Sequence, residues 1–240
     1  MMALSEAFVK NTPSFDIVGF ITRQADIYPL GTDTKFLSTV FELLMRPLIV
    51  QTAEKHGYRV VEPTVQNHYP DFTLVPTSGE RTYVAVDIKT TYRRKAGEKF
   101  AYTLGGYTSF IRRETPTKNI VFPFGHYSSH WVLGFVYTRV AEKKAATAKL
   151  YKVPDIHEIV SPYDNVEFFF QEKWRIAGDS AGSGNTTNIG SIFGNLDDFR
   201  RGKGPFKSEE EFLAYWRSYG RTSAARTYSN IASFRAMQKG

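Results

Sequence analysis

The stretch VAVDIKTTY, residues 84–92, limits the fold more than any other in the chain. Val84, Val86 and Ile88 alternate with Ala85, Asp87 and Lys89, the period of two that a β-strand produces. One face is apolar, and the other carries a carboxylate and an ammonium at i and i+2. Two readings are open. The strand is a solvated edge with a surface ion pair of little energetic weight, or the pair faces a site. Upstream, DFTLVP (71–76) reads as a second strand, joined to RTYVAVDIKTTY (81–92) by the turn TSGE. Pro70 is tolerated at the mouth of that strand, where its missing donor is not needed. The hairpin therefore brings Asp71 toward a carboxylate on the neighbouring strand.

The rest of the chain predicts a mixed α/β fold. FDIVGFITRQADIYPLG (15–31) reads as a short hairpin. Residues 31–57 read as a long helix with Asp33 or Thr34 as its cap, Gly57 as its stop, and Phe36, Val40, Leu43 and Leu44 as its apolar stripe. YRVVEP (58–63), NIVFPF (119–124) and VEFFFQEKWRIAG (166–178) read as strands. SHWVLGFVYTRVA (129–141) is too apolar to be anything but a central one. SEEEFLAYWRSYG (208–220) is a helix with Ser208 as N-cap and Glu211 three residues on, a capping-box pattern. The expected architecture is a single domain, 1–240, built on a central mixed β-sheet flanked by helices. A content of 42% hydrophobic and 15% aromatic residues supports a real core.

The charge balance narrows the partners. Lys and Arg number 31 against 24 Asp and Glu, a net charge of +7 that suits an anionic partner such as nucleic acid. There are no cysteines, so disulfides and thiolate metal sites are excluded. No apolar run has the length of a signal peptide or a membrane span, and a soluble, cytoplasmic protein is expected. His126 and His130 have metal-like spacing, which is read as chance because no third ligand is evident.

Two carboxylates and a lysine on adjacent strands suit a hard cation. Mg²⁺ takes oxygen ligands, keeps several waters, and uses one or two protein carboxylates with substrate phosphate. The lysine can orient or deprotonate an attacking water. A second feature is GSGNTTN (182–188), small, polar and uncharged. Glycines let a backbone approach base edges, Asn can bond adenine in a bidentate fashion, and Thr methyls can meet thymine methyls. It is not a P-loop, because no Lys follows a suitably spaced Gly, and it is not G-x-G-x-x-G, because Thr187 takes the third place.

Pro-Asp followed by Asp-x-Lys is the motif of the PD-(D/E)xK nuclease superfamily. The blocks YPLGTDTKFLSTVFEL, QNHYPDFTL, DIKTTY, TLGGYTSFIR, KWRIAGDSAGSGNTTNIGSI and EEFLAYWRSYGRTS occur in the order found in EcoRV-like type II restriction endonucleases, which the chain resembles over most of its length. The resemblance implies a homodimeric, Mg²⁺-dependent enzyme that cuts a short palindrome in double-stranded DNA. It implies that Asp71 and Asp87 bind metal, that Lys89 is catalytic, and that Glu42 is an additional acidic ligand near the site. It places Gly182, Ser183, Gly184, Asn185 and Thr186 at the bases, with Asn188 in support. Gln66 and Asn67 would lie at the minor groove, and Thr34, Lys35, Ser109, Arg221 and Arg226 at phosphates. It further implies the hexamer GATATC cut to blunt ends, selection aided by DNA bending, dimerisation through a portion around 15–31, and a cognate methyltransferase that protects the host. The chain departs from the family pattern at Val65, at IFGNLDDF (192–199) and at the C-terminus. A repair nuclease with the same core would not need the uncharged reading loop, and a catalytically dead DNA-binding protein would not need the intact acidic and lysine positions.

Overall fold

The computed structural model describes residues 2–10, 13–65, 68–106, 110–112, 119–140, 149–182, 188–220 and 228–239, with only the backbone of 2, 3, 5 and 9. A five-stranded mixed sheet forms its centre. In spatial order the strands are β3 (Tyr58–Val61), β4 (Phe72–Pro76), β5 (Tyr83–Arg93), β7 (Tyr127–Arg139) and β9 (Tyr163–Glu172). All neighbours are antiparallel except β5 and β7, which run parallel from Tyr83↔Tyr127 to Arg93↔Thr138. Two three-stranded sheets flank it. One joins β1 (Gly19–Ile21), β2 (Asp26–Pro29) and β8 (Tyr151–Lys152). The other joins β10 (Ala177–Ala181), β11 (Asn188–Ser191) and β6 (Thr103–Gly106). The hairpin expected at 15–31 is therefore present, with a third strand added to it.

The alternation of β5 and β7 sorts side chains onto two separate cores. Val84, Val86 and Ile88, with Leu133, Phe135 and Tyr137, face the long helix α2 (Thr34–Lys55). Ala85, Val132 and Val136 face the other side, where Phe169, Phe199, Tyr215 and Trp216 cover them. A strand buried on both faces needs apolar residues at every position, which is why 129–141 has so few polar ones. Gly134 is required there, because a Cβ would fall 2.3 Å from the Phe169 ring.

The helix α2 starts where expected, with Asp33 Oδ1 accepting the N–H groups of Lys35 and Phe36. Gly57, at φ +78°, follows its last turn. Its apolar stripe differs from the expected one. The buried positions are Leu37, Val40, Phe41, Met45, Ile49, Thr52 and Ala53, while Phe36 and Leu43 are exposed. The i, i+4 ladder through 37, 41, 45 and 49 wins because it meets Phe135 and Tyr137 of the sheet. By length and composition α2 is apolar enough to cross a bilayer, but that ladder packs on the sheet.

Two expected strands are corrected. In NIVFPF only Ile120 forms a bridge, to Tyr69, and Pro123 leads into a 3-10 turn at Phe124–His126. Tyr69 uses the local backbone, donating to Asn119 O and accepting from Val121, so the pairing stops at one residue. VEFFFQEKWRIAG is not one strand. Pairing with β7 ends at Trp131↔Glu172, and the one-turn helix α3 (Lys173–Ile176) carries the chain on to β10. Three helices had no sequence expectation: α1 (Met2–Lys10), α4 (Leu196–Arg201) and α6 (Ile231–Gln238). The expected helix at 208–220 is α5 (Glu209–Ser218), capped by Ser208, whose Oγ accepts Glu211 N–H. The departing segment IFGNLDDF is well tied. Asn195 and Asp198 form a reciprocal capping box, and Gly194 bridges Phe100.

Candidate active site

The register of β4 on β5 pairs Phe72 with Val86. One step outward, Asp71 comes beside Asp87, and Asp71 Oδ2 accepts the Ile88 N–H at 2.5 Å. Asp71 follows a cis Tyr69–Pro70 peptide bond. Asp87 Oδ2 lies 2.6 Å from Lys89 Nζ, with side chains 6% and 23% exposed. The solvated-edge reading of this strand is therefore wrong: β5 is central, and the pair is largely buried.

The electrostatics of the cluster follow from that burial. The Asp71 carboxyl is pushed up to about 7, first by burial and then by the Asp87 charge. Burial pulls the Lys89 ammonium down, but Asp87 and then Asp71 outweigh it and raise its pKa, so Lys89 stays cationic at neutral pH. Glu42 on α2 is half-buried. Its pKa is raised by burial and then by Glu62, with a smaller push from Asp87 against the pull of Lys89. Glu62 is held nearby by Arg46, whose Nε donates to both its oxygens at 2.9 Å.

This set fits a hard cation bound by two protein carboxylates. Asp87 Oδ2 faces the Lys89 ammonium and Asp71 Oδ2 accepts the Ile88 N–H, which leaves each ionised carboxylate with further lone pairs for an electropositive partner. Among the described residues no three of His, Cys, Asp and Glu gather into a complete cage. Glu42 feels Asp87 and Lys89 without joining such a group.

A pH prediction arises from Asp71. Its folded-state pKa of about 7 lies above the ordinary value of 3.8. The stability it contributes is full below the ordinary value and is lost as pH rises through about 7. In EDTA, Asp71→Asn should melt close to wild type at pH 4 and clearly above it at pH 8.5. A gap between the two proteins that stays constant across that range refutes the coupling.

The loop expected to read bases is held by its ends. Gly182 N–H donates to Asn188 O at 2.8 Å, which closes the hairpin of β10 and β11. Asn188 also pairs across to Gly106 of β6. Ser183, Gly184, Asn185 and Thr186 lie outside the described residues, as do Gln66, Asn67, Ser109, Arg221 and Arg226. Thr34 and Lys35 are exposed at the start of α2. One turn on, Ser38 Oγ donates to Thr90 Oγ1 at 3.3 Å, so this helix end stands beside the outgoing end of the Lys89 strand. An uncharged groove of about 400 Å³ runs from Thr90 and Thr91 past Thr103 to Ser180, Gly182 and Ser191. It reaches from the part of β5 just past Lys89 to the loop base.

Sequence reasoning missed the groups packed behind the cluster. Lys173 is 3% exposed, with its Nζ 4.8 Å from the centre of the Tyr69 ring. His130, read from sequence as a chance partner of His126, is buried, and its Nδ1 meets Tyr69 Oη at 2.7 Å. The signal for Lys173 was a lone cation ending the apolar run FFFQEK, which reads equally well as a strand end.

The family described as restriction endonuclease EcoRV matches residues 11–239 of this chain. The type II restriction enzyme EcoRV of Escherichia coli is 55% identical to it over 234 residues, covering 97% of this chain and 94% of that enzyme.

Proposed function

Because this chain belongs to the restriction endonuclease EcoRV family and is a type II site-specific deoxyribonuclease acting on double-stranded DNA, we propose that Asp71, Asp87 and Lys89 form its catalytic centre, that the cation is Mg²⁺, and that the target is GATATC, cut to blunt ends. The observation that carries the assignment is the buried trio on one hairpin, two carboxylates beside one ammonium. Asp71 and Asp87 hold the cation, and Glu42 supplies further negative charge from α2. A Mg²⁺ held there would supply Lewis-acid polarisation of the phosphoryl oxygen and offset charge on the leaving group. Lys89, kept charged by its acidic neighbours, orients the attacking water and offsets charge on the phosphate.

Base reading falls to the loop Gly182, Ser183, Gly184, Asn185 and Thr186, supported by Asn188. Gln66 and Asn67 approach the minor groove. Thr34, Lys35, Ser109, Arg221 and Arg226 position the phosphates. The placement of α2's start beside Thr90, and of the uncharged groove beside Gly182, supports this division. The whole chain acts as one catalytic and DNA-binding domain. Two copies meet through the portion around 15–31, where Phe20, Ile21 and Tyr28 stand exposed on a small sheet, and β8 extends that surface. A two-fold dimer matches a palindrome, each subunit cutting one strand. The enzyme works in the cytoplasm beside a cognate DNA methyltransferase that protects host sites.

Incubating the purified protein with a sequenced plasmid, in Mg²⁺ and in EDTA, tests the reading. Blunt ends inside GATATC, in Mg²⁺ alone, are expected. Discrete cuts elsewhere refute the hexamer and point to Val65 and residues 193–197. Binding without cutting refutes the catalytic assignment.

A further inference from the structure

Lys173 takes no part in the chemistry above, yet the fold buries its charge. Among the described residues no carboxylate stands within ion-pair distance of it. Its Nζ lies over the face of Tyr69, a cation–π contact. Tyr69 is fixed on three further sides. Its ring stacks on Phe110 at 4.9 Å and 22°. Its backbone is bridged to Asn119 and Val121. Its hydroxyl meets His130 Nδ1, and the His130 ring stacks on Phe124 at 4.8 Å. Burial first, then Lys173, keeps His130 neutral, with its pKa lowered to about 3. Burial holds Tyr69 as a phenol. The phenol and the imidazole therefore share one hydrogen bond between two neutral groups. Two residues beyond Tyr69 is Asp71, whose carboxylate also grips the Ile88 N–H.

We propose that Lys173 and His130 are positioning residues that lock Tyr69 from its face and from its hydroxyl, and so hold Asp71 in the geometry the cation requires. The inference rests on Asp71 being a metal ligand. It explains why a lysine is kept in a buried place where burial lowers its pKa to about 8. It also joins segments from β7 and α3 to the start of β4 through one ring.

Two variants separate this role from others. Lys173→Met keeps the bulk and removes the charge, and His130→Phe keeps a ring and removes the hydrogen bond to Tyr69 Oη. Ca²⁺ is titrated calorimetrically into each DNA-free enzyme, with Asp71→Asn as reference. Both variants should bind Ca²⁺ about tenfold more weakly, the scale typical of groups that orient metal ligands, and should lose kcat while KM for DNA holds. Asp71→Asn should lose the cation. The direction is diagnostic, because removing a nearby like charge would by itself tighten Ca²⁺ binding. If Lys173→Met binds more tightly, or if both variants match wild type while Asp71→Asn fails, the clamp is overturned and the site assignment stands. If Asp71→Asn also binds Ca²⁺ normally, the site assignment itself is wrong and the clamp falls with it.

Discussion

Asp87→Ala is expected to abolish cleavage, with a fall of at least about a thousandfold, while binding to GATATC duplex in EDTA persists. The carboxylate removed is one of the two proposed to hold the cation. Metal stabilisation of the transition state is worth several kcal/mol, and each 1.36 kcal/mol is a factor of about ten in rate. The same change strands Lys89, whose ammonium lies 2.6 Å from Asp87. A buried charge left without its partner costs about 3–5 kcal/mol, so a melting curve must accompany the rate. Asp87→Asn keeps the shape and separates the two effects. Quantitative nicking within tenfold of wild type by a folded Asp87→Ala protein would remove Asp87 from the catalytic centre.

Phe41→Ala should lower unfolding stability by about 3–5 kcal/mol, the range for deleting a buried phenyl ring. Phe41 is fully buried and is the hub between α2 and the sheet. Its ring stacks on Phe135 at 5.5 Å, with edge contacts to Phe15 at 5.7 Å and Tyr163 at 5.2 Å. Because Glu42 is the next residue, the loss should also loosen the acidic side of the site. Urea titration reads the stability directly. A change below about 1 kcal/mol would mean that the hub repacks and that α2 is held elsewhere. Phe36→Ala and Leu43→Ala, on the exposed side, should each cost far less.

The parts that sequence alone determined obey local rules. Period-two alternation marked β5, and the turn TSGE set its pairing with β4, so Asp71, Asp87 and Lys89 were legible as one cluster. Asp33 and Ser208 marked helix starts because a side-chain acceptor must satisfy nearby N–H groups. The order of motif blocks carried the family. Tertiary structure decided whatever depended on a distant partner. The stripe of α2 was phased by Phe135 and Tyr137, roughly a hundred residues away, so the helix pattern alone left its rotation open. The segment 119–124 had strand-like residues but, among the described residues, a single β-bridge, to Tyr69, before Pro123 turns back on His126. The strand through 166–178 broke at Lys173, where pairing stops at Trp131↔Glu172 and the chain turns into α3 although β7 itself extends to Tyr127. Tyr69, His130 and Lys173 come from three separate segments, and no spacing in the sequence announces that they meet. Hydrogen-bond caps and alternation act within a few residues, whereas burial, and the pKa shifts and charge balance it produces, depend on what the rest of the chain places on the other side.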